Sequence, residues 1–338
     1  MSKLKTFIRR LKHLSFKRWF MHVRQVSEET GGNKLYIAVD MLWCIARYGI
    51  GYLDYHSFGF YKKPKAQRLT YLTMNDSQII TRYLNDRDYY YVFDNKTVFD
   101  KRFEKYLRRR YFDLREADAE TLRDFCEETS TFFAKATEKC GGEGIRRVEV
   151  TADTDYNALF SELMENGQYL IEEPIKQHPK MSELCPTSIN TVRIVTVRMD
   201  DVAHFMYALV RMGNGGCVDN VSSGGMYTSV GEDGKLSRPA FCDKTGLYYD
   251  EHPMTHTVFN GFEIPFFNEA VAMCKEAAFV EPHMRYVGWD VAITPDGPVF
   301  VEGNNLPGYD MCQNARHRDE GILPRFEEVL GTKIRDLK

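Results

Sequence analysis

The chain has 338 residues, of which 43% are apolar and 28% charged, an ordinary balance for a globular protein with room for two or three compact units. Its net charge of −3 argues against a dedicated nucleic-acid-binding protein, because there is no overall positive field. The eight cysteines are scattered, without a CxxC pair or a cluster with histidine, which argues against a disulfide framework or a zinc site.

The first 27 residues are basic and contain no acid. Their positive charges are Lys3, Lys5, Arg9, Arg10, Lys12, Lys17, Arg18 and Arg24. Apolar residues recur there at helical spacing, which predicts a basic amphipathic helix that either packs on the protein or lies on an anionic membrane. No secretory signal is recognisable, and Asp40 and Arg47 interrupt the apolar residues 35–53, so we expect a cytoplasmic protein without a membrane span.

Residues 34–85 are rich in aromatic side chains and predict mainly helices, so a helical N-terminal region is expected over residues 1–90. Residues 89–93 predict a short aromatic strand. This strand leads into Asp94-Asn95-Lys96, which precedes another helix. A further charged helix is expected over residues 118–129.

Two β-forming runs, residues 131–135 and 145–150, are separated by a glycine-rich loop, and Lys135 ends the first run. The glycines of the loop are Gly141, Gly142 and Gly144. Glycine lets backbone N–H groups approach phosphate oxygens closely, and a nearby lysine adds positive charge. The pattern therefore indicates either a phosphate-binding loop or a long hairpin turn. It is neither a Walker A sequence nor G-x-G-x-x-G.

A helix is expected over residues 156–164, followed by a strand over residues 169–175. This strand contains Glu172 and Glu173 and then Pro174, which removes a backbone donor and stops strand pairing. The exposed backbone beyond it either contacts a ligand or simply leads into a loop.

Asn190 and Arg193 begin a strand rich in β-branched residues over residues 188–197. A charged side chain entering such a strand is expected to be paired or functional. The sheet is predicted to continue over residues 202–211, and a helix is expected over residues 268–280.

A hairpin follows in the stretch Y-V-G-W-D-V-A-I-T-P-D-G-P-V-F-V-E-G-N-N-L-P-G, which ends at Gly308. If its loop is Pro295-Asp296-Gly297, then Thr294 pairs with Pro298 and Asp290 lies opposite Glu302. Asn304 points to the same face as Glu302, because strand side chains alternate with a period of two.

Facing carboxylates destabilise a sheet unless something relieves their repulsion. Mg²⁺ prefers oxygen ligands and binds through one or two carboxylates together with substrate phosphates. The spacing therefore predicts a metal site formed by Asp290, Glu302 and Asn304. The alternative is a surface hairpin whose acids face water.

The order of these elements, ending in D-(x)11-E-G-N-N-x-P-G, resembles the ATP-grasp ligases. The chain is most similar to their α-L-glutamate ligase branch and its sugar-transfer-associated relatives, over about residues 90–330. The resemblance implies an α+β ATP-grasp fold in which two lobes, residues 91–180 and 181–338, clasp ATP and two Mg²⁺ ions after the helical region.

The same resemblance implies roles for individual residues. The phosphate-binding residues would be Lys96, Lys135, Gly141, Gly142, Gly144 and Arg193. The adenine-reading segment would contain Glu172, Glu173 and Ile175, with His178 near the ribose. The catalytic residues would be Lys135, Arg193 and Asn220, the last in an N-x-x-x-G-G loop. Val218 departs from the family, which often carries an arginine there.

The resemblance implies an ATP- and Mg²⁺-dependent ligase that activates a carboxylate as an acyl phosphate, releases ADP and forms an amide. Its relatives suggest small-molecule or carbohydrate-linked substrates in cell-surface polysaccharide assembly. A kinase using the same ATP site and a non-catalytic nucleotide-binding scaffold are the alternatives.

Overall fold

The computed structural model describes residues 15–138, 144–215 and 224–337. These residues form two compact units, the first containing residues 15–83 and 308–337 and the second residues 84–307. The predicted division at residues 90 and 180 concerns functional lobes and stays a prediction. Residues 1–14 of the predicted basic helix lie outside the described residues.

The first unit is helical, as the sequence predicts. Its helices are α1 (Phe16–Thr30), α2 (Lys34–Arg47), α3 (Tyr52–Ser57), α4 (Lys65–Arg68), α5 (Met74–Leu84), which ends at the boundary, and α12 (Leu323–Leu330), with 3-10 turns at Phe60–Lys62, Met311–Gln313 and Ile334–Asp336. Asn33 caps α2 by accepting hydrogen bonds from Leu35 N (2.8 Å) and Tyr36 N (3.3 Å). Gly31 ends α1 in the left-handed conformation, with φ of 67°.

Aromatic and aliphatic side chains from α1, α2, α3 and the residues that follow α3 form a hydrophobic core in this unit. Its members include Trp19, Val23, Val26, Ile37, Met41, Tyr55, Phe58 and Phe60. Asp40 is the one acid of α2, and it pairs with Arg68 (2.7 Å) and accepts a hydrogen bond from the Tyr55 hydroxyl (2.8 Å). No described helix is long and apolar enough to cross a membrane.

The second unit contains two sheets. The smaller sheet has the order β1-β4-β2-β3. Its strands are β1 (Tyr111–Asp113), β2 (Thr131–Lys135), β3 (Ile145–Glu149) and β4 (Leu170–Glu172), and its helices are α8 (Ala119–Glu128) and α9 (Tyr156–Glu165). Leu122, Phe125, Leu159 and Leu163 of the helices pack with Phe132 and Ile171 of the sheet. The predicted strand–loop–strand over β2 and β3 is an antiparallel hairpin.

The larger sheet is antiparallel, with the order β11-β10-β5-β6-β7-β8-β9. Its strands are β5 (Val192–Met199), β6 (Val202–Met212), β7 (Met226–Val230), β8 (Ala240–Cys242), β9 (Leu247–Tyr249), β10 (Tyr286–Thr294) and β11 (Gly297–Asn304). The remaining helices are α6 (Tyr91–Asp94), α7 (Lys96–Phe103), α10 (Pro179–Ser182) and α11 (Phe267–Ala277), with 3-10 turns at Arg87–Tyr89, Glu104–Tyr106 and Leu114–Glu116.

The predicted strand over residues 89–93 is wrong, because this segment is a 3-10 turn followed by α6. The aromatic side chains of this segment can pack from a helix as well as from a strand. Val92 and Phe93 are buried, and the Phe93 ring lies 6.0 Å from that of Trp289 in the large sheet. Asn95 then caps α7 through Val98 N (3.2 Å). Tertiary packing on one face decides against the local β propensity.

The hairpin turn is tighter than predicted, yet its acids face each other. Thr294 pairs with Gly297, so the predicted pairing with Pro298 is wrong by one residue. A bulge then places Val291 opposite Phe300 and Asp290 opposite Glu302, leaving one extra residue on β11. The one-residue bulge offsets the shorter turn, which is why the predicted Asp290–Glu302 pairing is confirmed.

Candidate active site

Four charged side chains lie on one face of the large sheet, on four neighbouring strands. Asp290 on β10 is opposite Glu302 on β11 and opposite Arg193 on β5. Arg211 lies on β6, the next strand. The predicted metal ligand Asn304 joins them, since its amide Nδ2 lies 3.4 Å from Asp290 Oδ2. The sequence therefore correctly predicts that Asp290, Glu302 and Asn304 lie together.

Two arginines hold Asp290, which is fully buried. Arg193 forms a bidentate ion pair with it, with NH2 2.8 Å from Oδ2, and Arg211 NH2 lies 2.9 Å from the same oxygen. Burial opposes ionisation, but the two guanidinium charges prevail and lower the pKa of Asp290 to about 2. Asp290 is thus a fixed negative charge.

Glu302 is in a different electrostatic position. Burial and the facing Asp290 carboxylate raise the pKa of Glu302 above its usual value, although Arg211 opposes this. A carboxylate beside a permanently charged neighbour gains from a bound cation. The electrostatics of the Asp290–Glu302 pair therefore fit the predicted metal site.

The donor set restricts how a metal could bind. Among the described residues no group of three or more His, Cys, Asp or Glu side chains is placed to hold a metal ion. Asp290, Glu302 and Asn304 supply two carboxylates and one amide, so Mg²⁺ would complete its coordination with water and phosphate oxygens. The residues fit a magnesium–phosphate site better than an all-protein metal cage.

Glu302 and Asn304 line a cavity of about 300 Å³, at the lower end of the range for ligand pockets. The predicted lysines Lys96 and Lys135 line the same cavity, together with Glu172. Five predicted site residues from four distant stretches of sequence therefore line one cavity. Its wall also contains Phe93, Phe99, Ile145, Leu170 and Leu306, which provide an apolar surface.

A second charge network forms the wall from the small sheet. Glu172 is buried and pairs with both Lys135 and Arg109, whose Nε lies 3.0 Å from Glu172 Oε1. Burial raises the pKa of a carboxyl group, but the charges of Arg109 and Lys135 dominate and lower the pKa of Glu172 to about 2. The side chain of Glu172 therefore positions Lys135 at the cavity.

Asp100 is one turn after Lys96 on α7 and also lines the cavity. Its side chain is buried, 3.9 Å from the Arg109 guanidinium, and its Oδ2 has no hydrogen-bond partner among the described residues. Burial, with the Glu172 carboxylate adding to it, raises the pKa of Asp100 well above its usual value. An orphaned buried oxygen of this kind is suited to a ligand that the cavity admits.

The glycine of E-G-N-N is required by packing. A Cβ on Gly303 would lie 2.6 Å from a Phe99 ring carbon and 2.7 Å from one of Phe93. These rings belong to α7 and α6, the segment that carries Lys96. Gly303 therefore lets the lysine-bearing segment lie against the strand of Glu302 and Asn304, and Asn305 strengthens this by donating to Asp94 Oδ1 (2.9 Å).

The segment predicted to read adenine begins at the end of β4. Glu173 does not present a free carboxylate, because it pairs with Arg110 Nε (2.6 Å) and accepts from Arg110 N (2.9 Å). His178 caps α10 by accepting from Lys180 N (3.0 Å). Ile175 is half-buried in irregular chain between them. None of these three lies among the described residues of the cavity wall, and their nucleotide contacts stay predictions.

Several predicted site residues are only partly tested by geometry. Gly141, Gly142 and Asn220 lie outside the described residues. Gly144 is described, with φ of 73°, and its carbonyl accepts from Ala136 N (3.0 Å) at the end of the β2–β3 hairpin. Arg193 binds Asp290, so its predicted phosphate contact stays a prediction.

Sequence reasoning missed Asp100, Arg109 and Arg211. Asp100 had a usable signal, since it follows Lys96 by four residues and so shares its helix face. Arg211 lies on β6 two residues beyond Leu209, the partner of Arg193. Arg109 stands in a run of three arginines, and nothing local distinguishes the buried one from its neighbours.

The chain belongs to the sugar-transfer associated ATP-grasp family, whose sequence model matches residues 75–330. This assigns the ATP-grasp fold to the two sheets and confirms the family predicted from the motifs. No curated protein matches the chain.

Solved ATP-grasp structures resemble the chain at low identity. The ligase PsnB with a precursor peptide and AMPPNP is 13% identical, with a TM-score of 0.42, over 73% of this chain and 61% of that one. D-alanyl-alanine synthetase A from Vibrio cholerae is 12% identical, with a TM-score of 0.40, over 72% and 61%. N5-carboxyaminoimidazole synthase from Aspergillus clavatus, bound to ADP and its ribonucleotide, is 10% identical, with a TM-score of 0.43, over 73% and 54%. The chain spans less than two thirds of each of these proteins.

Proposed function

We propose that this protein is a cytoplasmic, ATP- and Mg²⁺-dependent ligase that joins a carboxylate to an amine, with release of ADP. Family membership supports ATP as the phosphoryl donor. The observation that carries the proposal is the cavity, which Lys96, Lys135, Glu302 and Asn304 all line. Cations and metal-binding oxygens around one cavity are what a polyphosphate with bound Mg²⁺ requires.

The reaction proposed has two balanced steps. The substrate carboxylate oxygen attacks the γ-phosphorus, the bond to the β-phosphate oxygen breaks, and ADP leaves with that electron pair. The amine then attacks the acyl carbon of the resulting acyl phosphate, phosphate leaves, and the amine nitrogen loses a proton. Each step concentrates negative charge on oxygens, so catalysis depends on fixed positive groups around them.

The protein's own residues divide this work. Lys96 and Lys135 bind phosphate oxygens, and Glu172 with Arg109 keeps Lys135 in place. Arg193 and Arg211 hold Asp290 ionised and oriented beside Glu302. Bound Mg²⁺, of which we propose two ions, supplies charge neutralisation on the phosphates. Gly141, Gly142 and Asn220 complete the proposed loops around them.

The family's association with sugar transfer supports a proposal for the substrate class. We propose a carboxylate such as a uronic acid or an amino acid, within the synthesis of a cell-surface polysaccharide or related conjugate. The acceptor is then a small molecule or carbohydrate-linked group, and nucleic acid is not a substrate.

Hydroxylamine trapping tests the reaction. A panel of uronic acids and amino acids is incubated with enzyme, ATP, Mg²⁺ and hydroxylamine in place of the amine. A ligase of the proposed type gives hydroxamate and ADP in equal amounts with the correct carboxylate, because hydroxylamine captures the acyl phosphate. The Glu302→Gln variant serves as the control for a contaminating activity.

Other outcomes of the same assay would contradict the proposal. A phosphorylated product that is stable to hydroxylamine would mean a kinase. AMP and pyrophosphate would mean adenylation of the carboxylate. Bound nucleotide without any product across the panel would mean a scaffold.

A further inference from the structure

Helix α2 in the first unit is apolar on two opposite faces. Its inner face buries Ile37, Met41, Cys44 and Ile45. Its outer face carries Leu35, Tyr36, Val39 and Trp43, which are between 56% and 74% exposed. At helical spacing these four side chains fall in one stripe about 100° wide. We call this stripe the α2 outer face.

The α2 outer face contains no charged side chain. The charged residues of α2 are Lys34 and Arg47 at its two ends and Asp40. The Asp40 carboxylate pairs with Arg68 and accepts a hydrogen bond from the Tyr55 hydroxyl. A helix that is apolar all round is normally enclosed on every side. A contiguous aromatic and aliphatic stripe left in solvent therefore marks an interaction surface.

We propose that the α2 outer face docks on an anionic lipid surface. The charges around it favour this occupant. Lys34 and Arg47 lie at the ends of the stripe, and all eight charged residues among the first 27 are basic, while the whole chain carries −3. Glu28 and Glu29 follow, so the 33 residues before α2 carry eight basic side chains against two acids. Each basic residue near an anionic leaflet strengthens binding about fivefold.

The side-chain types of the α2 outer face also favour a lipid surface as its partner. Trp and Tyr are enriched at the membrane–water interface, where an apolar ring with a polar edge is favoured, and Leu and Val reach the acyl boundary. Helix α1 also exposes two phenylalanines, Phe16 and Phe20, which are 65% and 62% exposed. A second copy of the chain fits less well, because symmetric pairing of this face would bring its basic flanks together.

Trp43 makes the proposal directly measurable. The chain has three tryptophans, and the other two, Trp19 and Trp289, are buried. A blue shift of the emission, with loss of acrylamide quenching, on adding vesicles therefore reports Trp43. We expect both changes with vesicles of equal parts phosphatidylglycerol and phosphatidylcholine, but not with phosphatidylcholine alone. High salt should weaken them, because it screens the basic residues.

Substitutions assign the effect to the α2 outer face. Val39→Glu keeps the reporter and is expected to weaken vesicle partitioning at least tenfold, with Leu35→Glu as an independent second variant. Both residues are exposed, so the fold, checked by far-UV circular dichroism, should not change. Leu247→Glu is the matched control, since Leu247 is 56% exposed on β9 in the other unit, and it should bind as wild type does. Trp43→Phe should abolish the spectral shift but retain flotation.

Several results would overturn the proposal. One is no spectral change and no flotation with the anionic vesicles, and another is equal binding by folded Val39→Glu and Leu35→Glu. Trp43 already shielded from acrylamide without lipid would mean that another part of the chain covers the face. Lipid-independent self-association that Val39→Glu abolishes would assign the face to a second copy. None of these results bears on hydroxamate formation, so this inference stands or falls separately from the proposed ligase.

Discussion

Glu302→Gln is expected to lower Mg²⁺-dependent ATP turnover at least about 100-fold. Glu302 lines the cavity and lies opposite Asp290, the carboxylate that Arg193 and Arg211 bind. Glutamine preserves its size but removes the charge that would attract the metal. The fold should persist, and the thermal midpoint should be unchanged or higher, because Glu302 faces the buried Asp290 carboxylate.

The measurement is ADP release with saturating Mg²⁺, alongside a thermal melt. Asp296→Asn is the matched control, because Asp296 is an exposed acid in the turn of the same hairpin and outside the cavity wall. It should retain wild-type turnover. Wild-type turnover by Glu302→Gln would remove this residue from the metal site.

Asp290→Asn, in contrast, is expected to destabilise the fold. The free energy of unfolding should fall by about 3–5 kcal/mol. Asp290 is completely buried between the guanidinium groups of Arg193 and Arg211. Without its charge, the two largely buried guanidinium groups lose the counterion that they share. ATP turnover should also fall at least as far as for Glu302→Gln, because the ion pairs of Asp290 with the two arginines orient the charged side chains on this face of the large sheet.

Urea unfolding of Asp290→Asn and Glu302→Gln in parallel checks this contrast. The two residues face each other and the two changes remove the same charge, so each variant is the control for the other. Equal stability of both variants and the wild type would show that the arginine cluster does not depend on Asp290. A structural role alone would then not explain its burial.

The sequence predicts the parts of the site that alternation and turn chemistry define. The hairpin spacing gives the Asp290–Glu302 pairing, although the turn is one residue shorter and a bulge at β11 makes up the difference. Lys135 and Glu172, which were predicted from strand ends rich in charge and glycine, line the cavity, and their nucleotide contacts stay predictions. Lys96, which was predicted from its place before a helix, lines the cavity too, although the preceding residues are helical rather than extended.

The remaining features depend on contacts between distant segments, which local patterns do not encode. Arg109 reaches Glu172 and the Phe300 carbonyl, 63 and 191 residues away in sequence. Phe93 and Phe99 pack against Gly303, and this packing favours a helix where the local sequence predicts a strand. The solvent exposure of the α2 outer face could not be predicted either, because an apolar helical sequence does not show which of its faces the rest of the protein covers.

A crystal structure with Mn²⁺ and a non-hydrolysable ATP analogue tests the central claim most directly. We predict anomalous density for the metal between Glu302, Asn304 and the phosphates, with Lys96 and Lys135 contacting phosphate oxygens in the same cavity. Metal bound away from Asp290, Glu302 and Asn304, or a triphosphate that contacts neither lysine, would contradict the account.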